Sequence, residues 1–227
     1  RQIFYITLIK KKIYAIFIMK PDNSENNHIN DNELSNELKN HMFWIFGYGS
    51  LIWKTNFPFI KKYPGYIKGY TRRFYQFSPD HRGTNDLPGR VVTLLPSTNE
   101  SRVWGIAYAI ENRDIDNVCA GLDLRERAGY VKKVVQFHSK TNENQIPSEV
   151  TVYIADENNE WFAGEASIQQ IASRIAVCSG TSGSNPEYVH KLAAEMRRIA
   201  PEEDDKHLFE LEMALKNIEN SKEKQIL

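Results

Sequence analysis

The sequence predicts an α+β fold, a curved or barrel-like mixed sheet with helices packed on one side. Two observations carry that expectation. Short runs dominated by β-branched and aromatic residues, punctuated by Gly, Pro, Asn and Asp, fill the earlier part of the chain, and helical periodicity replaces them in the later part. Strands first and helices afterwards suit a sheet that buries one face against segregated helices.

In chain order, the expected strands are Phe43 to Phe46, Tyr66 to Tyr70, Arg72 to Phe77, Arg90 to Leu95, Val103 to Ile110, Tyr130 to Phe137 and Val150 to Ile154. Between Ile110 and Tyr130, the stretch Asp114 to Arg127 carries Ile115, Val118, Cys119 and Leu122 on one stripe at about 100° per residue, which predicts a helix. A helix over Trp161 to Val177 puts Ile168, Ile171, Ala172 and Ile175 on one face. Another is expected over Pro186 to Ile199, with Asn185 as N-cap and Pro186 at the first helical position. A last helix is expected from Pro201 to Leu215, and no repeat at solenoid spacing appears.

These elements make one domain over residues 43–215, followed by a polar tail over 216–227. Residues 1–42 are expected to be a disordered or non-native extension. Arg1 to Ile18 is apolar but interrupted by Lys10, Lys11 and Lys12, too short and too charged to span a bilayer, and no small-residue cleavage site follows it. Pro21 to Asn40 is rich in Asn, Asp, Glu and Ser and has little to bury.

Of the 227 residues 41% are hydrophobic, and 29 basic side chains balance 29 acidic ones. A chain without net charge gives no electrostatic case for nucleic acid or a membrane surface. Cys119 and Cys178 cannot form a disulfide framework, and neither stands in metal-ligand spacing with a histidine. A reducing, cytoplasmic compartment is the expectation.

Phe43-Trp44-Ile45-Phe46-Gly47-Tyr48-Gly49-Ser50-Leu51-Ile52-Trp53 is an apolar strand that runs straight into a glycine-serine turn. Glycines let backbone N–H groups crowd together and face one small acceptor. The turn is open to two readings, a plain connection between strands or a nest for an anion. A dinucleotide fingerprint would need a small residue at Ile52 and an acidic one about 20 residues on, near Tyr70 and Thr71, and the Gly-Lys-Ser/Thr of a P-loop is absent here. Any ligand held by this turn is therefore a small acid and not a nucleotide.

The apolar stripe of Asp114 to Arg127 continues onto Glu126, a carboxylate where the pattern calls for an apolar residue. Burial and the helix C-terminus would both raise its pKa, which makes a general base usable near neutral pH. The alternatives are a buried network with Arg125, Arg127 or another arginine, or a frayed, hydrated end. Gly129 fits a C-cap before the strand that opens at Tyr130.

Two further clusters stand out. Ser78-Pro79-Asp80-His81-Arg82-Gly83 with Pro88-Gly89-Arg90 suits an anionic part of a substrate, or is turn chemistry with solvated charges. Ser179 to Asn185, ahead of a helix, resembles an anion-binding N-terminus without a P-loop lysine and fits a flexible cap better, though Tyr188 one turn in can reach a neighbouring site.

In order and spacing these pieces resemble the ChaC family of glutathione-specific γ-glutamylcyclotransferases. The resemblance rests on Phe46-Gly47-Tyr48-Gly49-Ser50-Leu51-Ile52-Trp53, Arg72-Arg73-Phe74, Asp80-His81-Arg82-Gly83, Pro88-Gly89-Arg90-Val91-Val92-Thr93-Leu94, Val103-Trp104-Gly105 and Leu122-Asp123-Leu124-Arg125-Glu126 with Gly129-Tyr130. It continues through Gly183 to Tyr188 and from Pro201-Glu202-Glu203 to Leu208-Phe209. It implies a cyclotransferase fold and a small cytoplasmic lyase, free of cofactors, that converts glutathione to 5-oxoproline and cysteinylglycine. It also implies that Gly47, Tyr48, Gly49 and Ser50, flanked by Ile45, Phe46 and Leu51, hold the γ-glutamyl head, that Glu126 accepts and returns the proton, and that Tyr188 lies near the site. The alternatives are a cyclotransferase for other γ-glutamyl amino acids or amines, and a non-catalytic module that binds a small acid.

Overall fold

The computed structural model describes residues 42–125, 130–141, 146–155 and 157–226. Five strands close into a barrel in the order β1 (Phe43–Gly47), β5 (Arg102–Ile110), β2 (Lys61–Lys68), β6 (Tyr130–Ser139) and β7 (Glu149–Ala155). Neighbours around the barrel are antiparallel except at the closure, where β7 meets β1 in parallel, Ile45 opposite Thr151 and Phe46 opposite Val152. The mixed, barrel-like sheet expected from the sequence is the one observed. β3 (Tyr70–Ser78) and β4 (Gly89–Pro96) form a separate antiparallel hairpin, with a bulge between Arg73 and Gln76.

The barrel is narrow where Gly65 of β2 stands opposite Gly105 of β5. A Cβ on Gly105 would lie 2.2 Å from the Gly47 carbonyl oxygen and 2.6 Å from the Phe46 ring, and one on Gly65 would lie 2.4 Å from the His138 carbonyl oxygen. Rings of Phe46 and Phe137, 5.9 Å apart, occupy the space that these glycines leave. β2 begins five residues earlier than expected because Pro64 and Gly65, read from sequence as breakers, are inside it; the Pro64 carbonyl accepts the Lys140 N–H at 3.2 Å.

Among the described residues there are four α-helices: α1 (Ile115–Arg125), α2 (Ile168–Ile175), α3 (Asn185–Ile199) and α4 (Lys206–Ile226). Val118 and Leu122 of α1 are buried, as the stripe predicts. α2 presents Ile171, Ala172 and Ile175 to the interior, and α3 presents Tyr188, Val189, Leu192, Ala193 and Met196. Both pack against α4, whose Leu208, Leu211 and Leu215 are fully buried.

Two helix starts differ from expectation. The helix expected from Trp161 begins only at Ile168, because a capping box forms there: the Ser167 hydroxyl accepts the Gln170 N–H and the Gln170 side chain accepts the Ser167 N–H. The segment ahead of it lies instead along β3, with Phe77 N–H donating to the Trp161 carbonyl at 2.8 Å and Ala163 N–H to the Tyr75 carbonyl at 2.7 Å. The last helix starts at Lys206, not Pro201, and runs to Ile226.

His207 of α4 has a titratable consequence. Its Nε2 accepts the Phe74 N–H at 3.1 Å, which requires an unprotonated nitrogen there, and its ring stacks on Phe74 at 6.0 Å. Burial, reinforced by Arg73 and Arg90, lowers its pKa from 6.5 to about 4. A depressed histidine binds a proton more weakly folded than unfolded, so its contribution is intact above about pH 6.5 and is lost as pH falls through about 4. Chemical denaturation should register a loss of about 3 kcal/mol at most across that window, and His207→Gln should flatten this part of the profile.

Candidate active site

At one end of the barrel β1 runs into the glycine-serine turn. Gly47 ends the strand, and residues Ser50 to Ile52 make one 3₁₀ turn with Ile52 N–H donating to the Gly49 carbonyl at 3.0 Å and Lys54 N–H to the Ser50 carbonyl at 2.9 Å. Buried hydroxyls fix this turn from both sides. Tyr48 reaches across to donate to the Tyr153 carbonyl of β7 at 2.8 Å, and Tyr108 of β5 donates to the Leu51 carbonyl at 2.8 Å. Burial, with Glu195 adding to it, pushes the Tyr108 phenol up to about 12, so it is a lasting donor.

The turn forms one wall of a cavity of about 490 Å³. Phe46, Tyr48, Gly49, Ser50 and Leu51 line it, as does Tyr188 from α3. A Cβ on Gly49 would stand 2.8 Å from the Tyr188 hydroxyl and 2.9 Å from Val92, so only glycine lets that phenol approach the backbone. The Tyr188 ring is held edge-on by Trp53 at 5.3 Å and by Phe74 at 6.0 Å, with the Arg82 guanidinium 5.5 Å above it. Ile45 and Gly47 contribute to the strand beneath and are not among the lining residues.

Phe77 and Ser78 at the end of β3 and the loop from Pro79 to Arg82 also line the cavity. Residues Ser179 to Ser184, expected as a flexible cap, form a two-stranded ribbon, β8 (Ser179–Gly180) with β9 (Gly183–Ser184), whose turn is fastened to that loop. Thr181 and Ser182 N–H groups donate to the carbonyls of Asp80 and His81 at 2.9 and 3.0 Å, and His81 Nδ1 lies 3.0 Å from the Ser182 hydroxyl. The N-cap of α3 is Ser184, which accepts the Glu187 N–H. Asn185, the expected cap, is instead fully buried and clamps β4: its Oδ1 accepts Arg90 N–H at 2.7 Å and its Nδ2 donates to the Arg90 carbonyl at 2.8 Å.

Neither arginine of the basic cluster is solvated. Arg82 is buried, donating to the Ser184 carbonyl and to Glu187 Oε2, each at 2.8 Å. Lys191 and Arg82, in that order, hold the Glu187 carboxyl below the usual carboxylate range. Arg90 donates to the carbonyls of Phe74 and Gly164 at 3.0 and 3.1 Å. Of the cluster, Ser78 to Arg82 reach the cavity and Arg90 does not.

Tyr130, Tyr153, Glu160 and Trp161 line the cavity as well. Their sequence signals are slight: Tyr153 is a lone phenol in an apolar strand, and Trp161 sits in a stretch with helical periodicity. The Tyr153 hydroxyl lies 3.2 Å from Asp123 Oδ1 of α1, and Lys132 bridges to the same carboxylate at 2.8 Å. Burial first, then Cys119 and Asp123, pushes the Tyr153 phenol far up, so it stays protonated. Glu126 lies outside the described residues, as do Arg127 and Gly129; Asp123 and Tyr130 are described on either side of them. Among the described residues no His, Cys, Asp or Glu group is arranged to hold a metal ion, and no helix is long and apolar enough to cross a membrane.

This closed barrel, with a glycine-serine turn lining its cavity, is a γ-glutamylcyclotransferase-like fold. It superposes on the crystal structure of the yeast γ-glutamyl cyclotransferase specific to glutathione with a TM-score of 0.72 at 30% identity, covering 78% of this chain and 96% of that one. The model of the ChaC-like protein family matches residues 43–218, and the chain belongs to that family. It is 45% identical over 174 residues to glutathione-specific γ-glutamylcyclotransferase 1 of Danio rerio, covering 76% of this chain and 88% of that protein. To glutathione-specific γ-glutamylcyclotransferase of Schizosaccharomyces pombe it is 36% identical over 183 residues, covering 74% and 90%.

Proposed function

We propose that this protein degrades glutathione by cyclising its γ-glutamyl group, releasing 5-oxoproline and cysteinylglycine. The observation that carries the reading is the cavity in which the Gly49-Ser50-Leu51 turn meets Tyr188, in a chain whose relatives are named for this reaction. The α-amine of the substrate attacks its own γ-carbonyl carbon; a C–N bond forms and the amide bond to cysteine breaks. In water the amine is mostly protonated and the chain is seldom folded correctly, so binding has to supply both geometry and deprotonation. The turn, with Ile45, Phe46, Gly47, Tyr48, Gly49, Ser50 and Leu51, grips the α-carboxylate. A good near-attack geometry contributes roughly 7–11 kcal/mol in favourable intramolecular cases.

Glu126 takes the amine proton and delivers it to the departing cysteinyl amine, so one carboxylate serves both steps without net proton change. Tyr188, its hydroxyl near Gly49, orients the head group. We assign the reaction to a domain over residues 43–215 and to the cytoplasm, in keeping with the unpaired Cys119 and Cys178. The protein is expected to form 5-oxoproline from glutathione and not from γ-glutamylalanine, measured by chromatography of the products. Equal turnover of the two would assign it to the broader γ-glutamyl specificity, and binding without product would assign it to the non-catalytic class.

A further inference from the structure

Resting on that reading, the cavity wall identifies how a tripeptide is told from shorter γ-glutamyl compounds. We propose that Lys54, seconded by His81, binds the substrate's distal, glycyl carboxylate. A grip on the α-carboxylate at Gly49 and Ser50 leaves that second carboxylate at the far end of an extended tripeptide, where a cation is needed to offset its desolvation.

The basic cluster of residues 80–90 supplies few candidates. The Arg82 guanidinium faces the cavity but is engaged by Glu187 and the Ser184 carbonyl, and Arg90 is directed into the protein by three carbonyl groups. Lys54 is different. It lines the cavity, is exposed, and has no carboxylate partner among the described residues. Its backbone is tied to the Ser50 carbonyl, so the same turn that carries the nest carries this cation at a fixed separation in the chain.

His81 also lines the cavity, with its side chain 43% exposed, and its Nδ1 is engaged by the Ser182 hydroxyl, which orients the ring. Two acidic groups also reach the cavity. Asp80 Oδ2 lies 3.7 Å from His81 Nε2, and Glu160 is among the lining residues, as is Trp161. These acidic groups repel a distal carboxylate and Lys54 attracts it, so the two-point recognition measures substrate length.

The test compares glutathione with its glycyl ethyl ester, which keeps the γ-glutamyl head and removes the distal charge. Wild-type protein should show a KM for the ester about tenfold above that for glutathione, with kcat little changed, the scale of one charge-assisted hydrogen bond. Lys54→Gln should raise the glutathione KM by about the same factor, abolish the preference over the ester, and leave thermal melting unaltered; Lys54→Arg should restore the preference. An unchanged glutathione KM in Lys54→Gln overturns the assignment of Lys54, while turnover of glutathione stands. Failure of wild-type protein to form 5-oxoproline from either compound overturns the proposed function itself.

Discussion

Glu126→Gln is expected to lower kcat on glutathione by about 100-fold to 10,000-fold, the range that a positioned general acid/base contributes. The variant keeps size and shape and loses only the ability to accept a proton. The α-amine of the substrate then stays protonated for most of its time in the site, and the departing cysteinyl amine has no donor. KM should change little, since the proposed grip on the head group belongs to the turn at Gly49 and Ser50 and not to this carboxylate. Stopped-time assays of 5-oxoproline, alongside thermal melting to show an intact fold, check both statements. Full activity in the variant would remove Glu126 from the mechanism and shift attention to Asp80 and Glu160, carboxylates that line the cavity.

Asn185→Ala is expected to have the largest effect on stability. Asn185 is fully buried and makes two hydrogen bonds to the backbone of Arg90, one in each direction. Alanine leaves that N–H and C=O without their partner at about 1–3 kcal/mol each, so a loss of roughly 3 kcal/mol follows. For a domain of this size that is a fall in Tm of about 6–12 °C, readable by calorimetry. The same contact joins β4 to the start of α3, which carries Tyr188, so substrate binding should weaken together with stability. A Ser184→Ala variant is the useful comparison. It removes only the N-cap bond to Glu187, worth about 1 kcal/mol, and leaves the clamp on β4 intact.

Much of the fold was legible from the chain because local rules acted alone. Alternating aromatic and β-branched residues marked most strands, and the stripes Val118–Leu122 and Ile171–Ala172–Ile175 marked helical faces that are buried. The misread places are those where a distant partner outweighed a local preference. Pro64 and Gly65 look like breakers, yet they sit inside β2, and at Gly65 the closeness of the Phe137 ring and the His138 carbonyl leaves no room for a side chain. Trp161 to Ala163 have helical periodicity, yet they pair with β3, an arrangement that periodicity cannot encode. Asn185 satisfies every rule for an N-cap, and a buried strand edge claimed it.

For the candidate site the division is similar. The turn from Gly47 to Leu51, the carboxylate at Glu126 and the tyrosine at 188 could be singled out from the chain alone, because glycine spacing and helical phase are properties of neighbours along it. The fold is what brings the Tyr188 hydroxyl to Gly49, gives Arg82 and Arg90 to the scaffold, and sets Lys54 and His81 at the cavity. The physical reason is that a buried arginine must have its donors satisfied by whatever carbonyls and carboxylates the fold brings near it, and those lie up to 105 residues away in the chain.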